Sequence, residues 1–257
     1  MYNKLREFLR EKATPSRYLK FKKFQKRILG VFMSSNLNKL AQLNGTDKWN
    51  DHWYTQHYQR HFRPFRLKQI KILEIGIGGY ENALSGGDSL RMWRSYFPFA
   101  EIHGLDIIDK RVHAERNIHI HVGSQVDNIF LDEIIAKHGP FDIIIDDGSH
   151  INEHVIFSFE HLFINGLTEN GIYAVEDTQT SYWENYGGVP DKLDNDITMM
   201  NYFKKLVDVV NCQDYLWEEQ LASKFDNQIT GMHFYHNLIF IYKGNNRNEK
   251  SLSRMYG

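Results

Sequence analysis

The sequence predicts an α/β fold in which helices cover both faces of a mostly parallel β-sheet. From Gln69 onward, short apolar runs alternate with helical segments, and several of the runs end in a glycine or a carboxylate. No internal repeat or flexible linker divides the 257 residues. This pattern is typical of a Rossmann-like, doubly wound domain, here with a C-terminal antiparallel hairpin. We expect residues 67–257 to form it and residues 1–66 to form an N-terminal helical extension with a pocket-closing segment.

The composition is that of an ordinary globular protein and limits the partners to be expected. A net charge of −1 gives no overall attraction for nucleic acid. No apolar run is long enough for an integral membrane segment. The single cysteine, Cys212, cannot form an internal disulfide and excludes a cysteine-based zinc site. Because a signal-peptide pattern is also missing, we expect a cytoplasmic protein.

The first part of the chain differs in character from the rest. Lys4–Arg27 carries ten Lys or Arg against two Glu. Such an excess of positive charge is expected of a segment that binds a membrane surface or nucleic acid. Its apolar residues lie near helical spacing, which favours a solvated helix that packs on the body or on a neighbouring subunit. Residues 44–66 are polar and dense in aromatics and histidine. Within them, His57 and Tyr58 are candidates for closing a pocket.

The elements of the larger domain follow from apolar runs and helix-capping residues. Asp88 or Ser89 is expected to begin the first helix, and Gly139 and Gly166 are expected to end the next two. A last helix is expected at about 195–209, before two strands joined by a His-Asn turn. The parallel strands are predicted within IKILEIGIGG, EIHGLDI, IHIHVGS, FDIIID and GIYAVED.

Residues at the predicted strand ends suit a nucleotide, because ligands of doubly wound sheets bind beyond the carboxyl ends of the strands. Glycines after the first strand allow a tight turn and close backbone approach, although a turn without a ligand is the simpler alternative. Asp106 after the second strand can accept both hydroxyls of a ribose. After the third strand, the Gln125 amide can contact a base edge. The residues assigned to cofactor binding are Glu74, Gly76, Gly78, Gly79, Ser89, Asp106, Ser124, Gln125 and Asp146.

The glycine turn favours a nucleotide without a pyrophosphate. It lacks the third glycine of the dinucleotide pattern, and the loop stays irregular through Ser85-Gly86-Gly87 before the helix. Glu74 would repel a pyrophosphate but can serve an ammonium group, directly or through water. S-adenosylmethionine is a ligand of this kind, so the residues favour a methyltransferase over a dehydrogenase.

A second site is predicted where the fourth and fifth strands end. Asp146 and Asp147 follow the fourth strand, and Glu176 and Asp177 follow the fifth. Clustered carboxylates repel one another unless they are protonated or bound to a cation. Oxygen ligands without a thiolate favour Mg²⁺ or Mn²⁺, whose open positions a substrate diol can occupy. The alternative is that these acids cap the following helices.

His150 comes three residues after Asp147 and is assigned to catalysis with it. Its side chain is either a further metal ligand or a general base for an acceptor hydroxyl, since imidazole is the side chain best suited in general to proton transfer near neutral pH. A simple capping or packing role is the structural alternative.

The loop from Thr178 to Lys192 is a candidate for the acceptor site. Tyr182, Trp183 and Tyr186 can stack on a sugar face, and the glycine pair after them can act as the hinge of a lid. A packed surface loop is the alternative.

Several motifs, spread over residues 44–188, resemble a known family. LEIGIGGYENALSGGDSLRMW, GLDI, GSQ, DIIIDDGSH and YAVEDTQTSYW are similar to class I S-adenosylmethionine-dependent methyltransferases. The closer resemblance is to the metal-dependent macrolide sugar O-methyltransferases of the mycinamicin and demethylmacrocin type. It implies a sugar hydroxyl as methyl acceptor, Mg²⁺ as cofactor and a homo-oligomer whose N-terminal segments help to build neighbouring sites.

The resemblance also implies roles for individual residues. The metal ligands of the family carry over to Asp147, Glu176 and Asp177, and its proposed base carries over to His150. The N-terminal region is much shorter than the auxiliary domain of the macrolide enzymes.

We therefore predict an S-adenosylmethionine- and Mg²⁺-dependent O-methyltransferase that acts on a sugar hydroxyl of a glycoside, saccharide or natural product, as in antibiotic or glycan biosynthesis. One alternative is a metal-dependent hydroxylase-like or hydrolytic enzyme on the same fold. The other is a non-catalytic cofactor-binding module.

Overall fold

A computed structural model describes residues 35–215 and 223–246. The basic segment Lys4–Arg27 and the predicted helices before residue 35 lie outside these residues. None of the helices in the described ranges has the length and hydropathy that a membrane crossing requires. The helices are α1 (Leu37–Asn44), α2 (Thr55–Phe62), α3 (Asp88–Tyr96), α4 (Asn128–His138), α5 (Asn152–Asn165) and α6 (Met199–Val209). The strands are β1 (Lys71–Ile75), β2 (Glu101–Asp106), β3 (Ile118–Val122), β4 (Phe141–Asp146), β5 (Leu167–Glu176), β6 (Ile229–Tyr235) and β7 (Leu238–Lys243).

The strands form one sheet in the order β3-β2-β1-β4-β5-β7-β6. Strands β1 to β5 run parallel, whereas β7 is antiparallel to both β5 and β6. The strand order reverses between β1 and β4, and ligands of such sheets bind outside the carboxyl ends of the strands at that point. The arrangement confirms the predicted mostly parallel, doubly wound sheet with a C-terminal antiparallel hairpin.

Local sequence signals explain most of the element boundaries. Strand β4 carries three fully buried isoleucines in succession, Ile143 to Ile145, as expected for a strand without a solvent-exposed face. Helix α4 begins where the side chain of Asp127 accepts a hydrogen bond from the N–H of Phe130. Helices α4 and α5 end at Gly139 and Gly166, as predicted.

Two elements begin elsewhere than predicted. Strand β5 starts at Leu167 rather than near Gly171, because Leu167 pairs with Phe141 although the polar residues after it give no apolar signal. Helix α6 starts at Met199 rather than at about 195, because the Thr198 side chain accepts a backbone N–H at that point and caps the helix.

An aromatic core holds α5 against the sheet. The ring of Phe159 in α5 lies 5.1 Å from Tyr173 of β5, 5.0 Å from Phe203 of α6 and 5.3 Å from Phe225, measured between centroids. Aromatic contacts of this kind contribute both buried area and preferred ring geometry. The start of α5, which follows the DDGSH motif, is therefore held in a defined place.

By its internal contacts, the chain divides into two compact units. The smaller includes residues 35–68 of the described chain together with 91–99, so the second part of α3 groups with the N-terminal helices. The larger holds the sheet and the remaining helices. The predicted division into residues 1–66 and 67–257 stays a prediction.

In the smaller unit, the candidate pocket residues of α2 have different environments. Tyr58 is fully buried, with its ring 4.9 Å from Phe62 and 5.1 Å from Trp93. Its side chain therefore packs in the core of that unit. His57 is half-buried, and burial together with the charge of Arg60 lowers its pKa. The pocket-closing role of both residues stays a prediction.

Four histidines lie together on β2, β3 and the end of α4. The imidazole of His103 lies 4.8 Å from His119, 5.3 Å from His121 and 5.0 Å from His138, centroid to centroid. Burial, with the neighbouring histidines as a further cause, lowers the pKa of His103 from 6.5 to about 3 and that of His121 to about 4. The folded protein therefore keeps these two rings neutral at neutral pH.

In metal-free buffer, we expect the free energy of unfolding to fall between about pH 7 and about pH 5. The unfolded chain takes up protons at these histidines below about pH 6.5, whereas the folded protein resists protonation until far lower pH. At pH 5, each of the two imidazoles therefore lowers the free energy of unfolding by about 2 kcal/mol. Denaturant titration at both pH values measures the loss.

The variant His103→Gln should show a smaller loss of stability than the wild type. His233→Gln changes an exposed histidine of β6 and should keep the wild-type loss. An equal loss in all three proteins would mean that the histidine cluster does not control this pH dependence.

Candidate active site

Three neighbouring strands bring their carboxyl ends to one edge of the sheet. Ile75, the last residue of β1, lies opposite Asp146 of β4, and Asp146 lies opposite Val175 of β5. The residues that follow these strands therefore start from the same edge. The register thus places Asp147 after β4 and Asp177 after β5 in adjacent turns.

The turn after β1 lies directly against the turn after β4. Gly76 has a φ of 87°, a left-handed backbone conformation that favours glycine. A Cβ atom at this position would lie 2.0 Å from the carbonyl oxygen of Asp147. The N–H of Asp147 donates to the carbonyl oxygen of Ile75 at 2.9 Å, which holds the same two turns together. Gly76 is therefore required where the predicted cofactor turn meets the predicted metal turn.

Asp147, His150 and Asp177 form a group whose ligand atoms all lie within 4.8 Å of one another. Nε2 of His150 lies 3.6 Å from Oδ2 of Asp177. All three residues are half-buried, so the group remains accessible to a small ligand. Carboxylate oxygens with one imidazole suit a divalent cation such as Mg²⁺ or Mn²⁺.

The predicted ligand set and this group differ at one position. Glu176 is the last residue of β5, is 2 % exposed and lies outside the group. Asp177 has already left the strand and has a left-handed backbone with a φ of 53°, which explains why its side chain has different surroundings from that of Glu176. His150 is the third member of the observed group. The ligand role of Glu176 stays a prediction.

Two members of the group have an unusual backbone conformation. The φ angle is 56° at His150 and 53° at Asp177, in the left-handed region that residues other than glycine seldom adopt. Each such conformation costs on the order of 1–3 kcal/mol and persists only where the surroundings hold it. Strain of this kind concentrates at functional sites, and here it occurs at two residues whose side chains meet.

A threonine that the sequence analysis missed links these two strained residues. Oγ1 of Thr180 lies 2.8 Å from the carbonyl oxygen of His150 and 3.1 Å from that of Asp177. The hydroxyl proton can be donated to either carbonyl oxygen, and the residue is 2 % exposed. One short side chain therefore joins the turn after β4 to the turn after β5. Its position within TQTSYW could be read from the sequence as part of the loop. Its contacts with the carbonyl groups of His150 and Asp177 could not.

Asp146 has a different environment from its neighbour Asp147. It is 1 % exposed, and its Oδ2 accepts hydrogen bonds from the hydroxyls of Ser158 at 2.5 Å and Tyr173 at 3.2 Å. Burial raises the pKa of this carboxyl group, and the hydrogen bond from Ser158 opposes the shift. Asp146 therefore supports the turn from inside, and its part in cofactor binding stays a prediction.

The amide of Gln125 joins the turn after β3 to the DDGSH turn. Nε2 donates to Oδ1 of Asp146 at 3.3 Å and to Oγ of Ser158 at 3.2 Å, while Oε1 accepts from the N–H of Ser149 at 2.8 Å. Both ends of the amide are thus engaged within the protein. The predicted contact of Gln125 with a base edge stays a prediction.

The two acids predicted to face the cofactor are oriented by protein donors. Glu74 is fully buried and accepts a hydrogen bond from Oγ of Ser89 at 3.0 Å. Asp106 accepts from the N–H groups of Ile77 at 3.0 Å and Ile108 at 2.8 Å. The end of β2 is therefore tied to the glycine turn after β1.

The remaining predicted cofactor residues lie in the turns after β1 and β3. Gly78 and Gly79 have φ angles of 75° and 79°. Oγ of Ser124 accepts from the N–H of Val126 at 3.3 Å. Their contacts with a cofactor, like those of Glu74 and Asp106, stay predictions.

A buried lysine, also missed by the sequence analysis, holds the glycine loop. Lys110 is fully buried, and its Nζ donates to the carbonyl oxygens of Tyr80 at 2.9 Å, Asn82 at 2.7 Å and Ser85 at 3.1 Å. Lysine is seldom fully buried unless it is paired in this way. The loop therefore keeps its shape through a side chain that lies 25 or more residues away in the sequence.

The aromatic loop after β5 is exposed but anchored. Tyr182 and Trp183 are 38 % and 49 % exposed, and the rings of Trp183 and Tyr186 lie 6.0 Å apart. Nδ2 of Asn152, at the start of α5, donates to the carbonyl oxygens of Thr180 at 3.1 Å and Tyr186 at 2.9 Å. Exposed aromatics on an anchored loop suit stacking on a sugar face. The predicted glycine hinge stays a prediction.

Known proteins resemble this chain over most of its length, although no protein-family model matches it. It is 46 % identical over 213 residues to demethylmacrocin O-methyltransferase of Streptomyces fradiae. It is 45 % identical over 213 residues to mycinamicin VI 2''-O-methyltransferase of Micromonospora griseorubida. These alignments cover 82 % of this chain and 54 % and 53 % of the relatives, so the chain spans about half the length of the curated relatives it matches.

A solved structure shares both the fold and the sequence. It is the MycE methyltransferase of the mycinamycin biosynthetic pathway, in complex with Mg, SAH and mycinamycin VI. The identity is 42 % and the TM-score is 0.77, over 84 % of this chain and 56 % of that chain. The fold of the chain is therefore that of a class I S-adenosylmethionine-dependent methyltransferase. Within that class, the chain is homologous to sugar O-methyltransferases of antibiotic pathways, which confirms the resemblance predicted from its motifs.

We expect Thr180→Val to lower the free energy of unfolding by about 1–2 kcal/mol, because two strained turns lose their shared hydrogen-bond donor. Thr178→Val is a matched control: Thr178 is 1 % exposed, and within the described residues its Oγ1 has no hydrogen-bond partner. Denaturant titration should show that this control is near neutral. Equal losses in both variants would contradict the linking role of Thr180.

Proposed function

We propose that this protein is an S-adenosylmethionine- and Mg²⁺-dependent O-methyltransferase that methylates a hydroxyl of a sugar-containing acceptor. The observation that carries the proposal is the group of Asp147, His150 and Asp177 beside the glycine turn at the carboxyl edge. The names of the relatives support the reaction, since they describe O-methylation of natural products. Neither the hydrolytic nor the non-catalytic alternative has a comparable observation in its favour.

The residues at the edge fit a divalent cation. Asp147 and Asp177 offer carboxylate oxygens, and Glu176 is a further candidate at the end of β5. His150 offers an imidazole nitrogen to the ion only if it is a ligand rather than the base. When bound there, the ion would hold acceptor oxygens and lower the pKa of a bound hydroxyl. The two carboxylates, held in linked turns, would orient such an ion.

The glycine turn fits the methyl donor. Gly76, Gly78 and Gly79 all have a positive φ and no side chain, so the peptide groups of the turn can approach a ligand closely. Glu74 offers a carboxylate for the ammonium group, and Asp106 offers one for the ribose. When bound there, the methyl donor would supply an electrophilic methyl group on sulfur for transfer to the acceptor oxygen.

His150 takes the proton of the acceptor hydroxyl in this proposal. Its Nε2 lies 3.6 Å from the carboxylate of Asp177, which stabilises the imidazolium that results. Both residues have the left-handed backbone conformation described above. The exposed rings of Tyr182 and Trp183 hold the sugar, and most of the rate enhancement comes from positioning and charge stabilisation.

We also infer a homo-oligomer in the cytoplasm without a nucleic-acid partner. The oligomer rests on the family resemblance, and the other two inferences rest on the net charge of −1 and the single cysteine. Light scattering on the purified protein tests the oligomeric state.

The main test combines calorimetry with product analysis. The protein should bind S-adenosylhomocysteine, and mass spectrometry should detect single methylation of demethylmacrocin, mycinamicin VI or another glycoside from a panel. Chelation should abolish turnover, and added Mg²⁺ should restore it.

Asp147→Asn should lower turnover by about 100-fold or more at unchanged stability, because the metal loses a charged ligand.

The matched control is Asp132→Asn, which changes an exposed acid of α4 and should leave turnover unchanged. Full activity in the chelated protein would contradict the metal role. Failure to bind S-adenosylhomocysteine would contradict the cofactor, whatever the acceptor is.

The variant His150→Ala separates the two roles left open for the imidazole. As a general base, His150 should contribute about 10²–10⁴-fold to kcat, with the Mg²⁺ concentration for half-maximal rate unchanged. His154→Ala is the control, because His154 lies in the first turn of α5, outside the group, and its Nδ1 lies 3.0 Å from Oγ of Ser149. If kcat is near normal at saturating Mg²⁺ but the Mg²⁺ concentration for half-maximal rate is raised, His150 is a metal ligand and not the base.

A further inference from the structure

We propose a second metal site, formed by Glu101, His103 and His119 on strands β2 and β3, that binds Zn²⁺. One ligand atom from each residue lies within 4.8 Å of the others. This site goes beyond the proposed function, because it shares no residue with the carboxyl-edge group. Glu101 is the first residue of β2, whereas Asp147 follows the end of β4, so the two sites belong to opposite ends of their strands.

The geometry of the sheet brings these three residues together. Glu101 and His103 are two positions apart on β2, so their side chains point to the same face. His119 pairs with His103 in the parallel register of β2 and β3 and therefore shares that face. The imidazoles of His103 and His119 lie 4.8 Å apart between centroids. The backbone thus presents three potential ligands from two adjacent strands.

A buried nitrogen points to a ligand at this position. His103 is 1 % exposed, and in the described part of the chain its Nε2 has no hydrogen-bond partner. Oε2 of Glu101 lies 3.9 Å from this nitrogen, beyond hydrogen-bond distance. A buried polar atom without a partner is unfavourable, and coordination to a cation would satisfy it.

The other nitrogen of His103 is already supported. Nδ1 lies 3.0 Å from Nε2 of His121, so a proton on Nδ1 can be donated to that ring. This tautomer leaves the lone pair of His103 Nε2 available. Metal-binding histidines usually donate their second nitrogen to a neighbouring acceptor in this manner, which fixes the orientation of the ring.

The ligand types and the exposure of two of the three residues favour Zn²⁺ at this site. Two imidazoles and one carboxylate are a frequent ligand set for Zn²⁺ and differ from the carboxylate-rich set at the other end of the sheet. Glu101 and His119 are exposed, so the ion can enter from solvent and a water molecule can complete the coordination. Such an ion would link β3, the edge strand, to β2, and we expect it to act on stability.

The test is thermal unfolding of the full chain with added Zn²⁺, in the presence of excess Mg²⁺ and S-adenosylhomocysteine. Zn²⁺ at micromolar concentration should raise the Tm of the wild type, because it binds the folded state preferentially. His119→Ala and Glu101→Gln, both at exposed positions, should each weaken the apparent Zn²⁺ affinity by about tenfold or more. Calorimetric titration should show one fewer strong site in His119→Ala.

Two controls locate the ion. His233→Ala removes an exposed strand histidine outside the cluster, and Asp177→Asn alters the carboxyl-edge group; both should keep the response to Zn²⁺. The proposal is overturned if the wild type does not respond. It is also overturned if His119→Ala and Glu101→Gln respond like the wild type, or if the response is lost in Asp177→Asn or His233→Ala.

Discussion

The carboxyl edge of the sheet depends on the contact between the backbone of Gly76 and the carbonyl oxygen of Asp147. A side chain at Gly76 would lie 2.0 Å from that oxygen, so the turns after β1 and β4 can meet only because the residue is glycine. Thr180 then links the turn after β4 to the turn after β5. Three turns from separate parts of the chain are therefore joined by backbone groups and one hydroxyl. The side chains of Asp147, His150 and Asp177 meet as a consequence of these contacts rather than as their cause.

The two adjacent aspartates show how a single step along a strand separates two roles. Asp146 still belongs to β4, points into the protein and is held by Ser158, Tyr173 and Gln125. Asp147 has left the strand and is half-buried at the edge, within reach of His150 and Asp177. Burial raises the pKa of the Asp146 carboxyl and suits it to a supporting position, whereas the accessible carboxylate is suited to bind a cation.

The two ends of the sheet present different ligand types, although adjacent strands bring the ligands together at both ends. At the carboxyl end, the residues that follow parallel strands supply oxygen donors in adjacent turns. Toward the amino end of β2, residues within paired strands supply imidazoles through the register of His103 with His119. Oxygen-rich and nitrogen-rich sets select different divalent ions, which allows one sheet to hold the two metal sites proposed here.

Sequence alone determined the order and type of the strands, the helix ends at Gly139 and Gly166, the glycine turn and the DDGSH motif, because periodicity, capping and turn preference are local properties. It also placed Asp147, His150 and Asp177 at one edge of the sheet, where the structure brings them together, since the ends of parallel strands meet there. It did not predict the contacts of Thr180 and Lys110 or the burial of Tyr58. It also did not predict that Glu176 lies outside the group and that His150 belongs to it. Tertiary structure decided these points, because each depends on a side-chain direction or on a contact between residues distant in the chain.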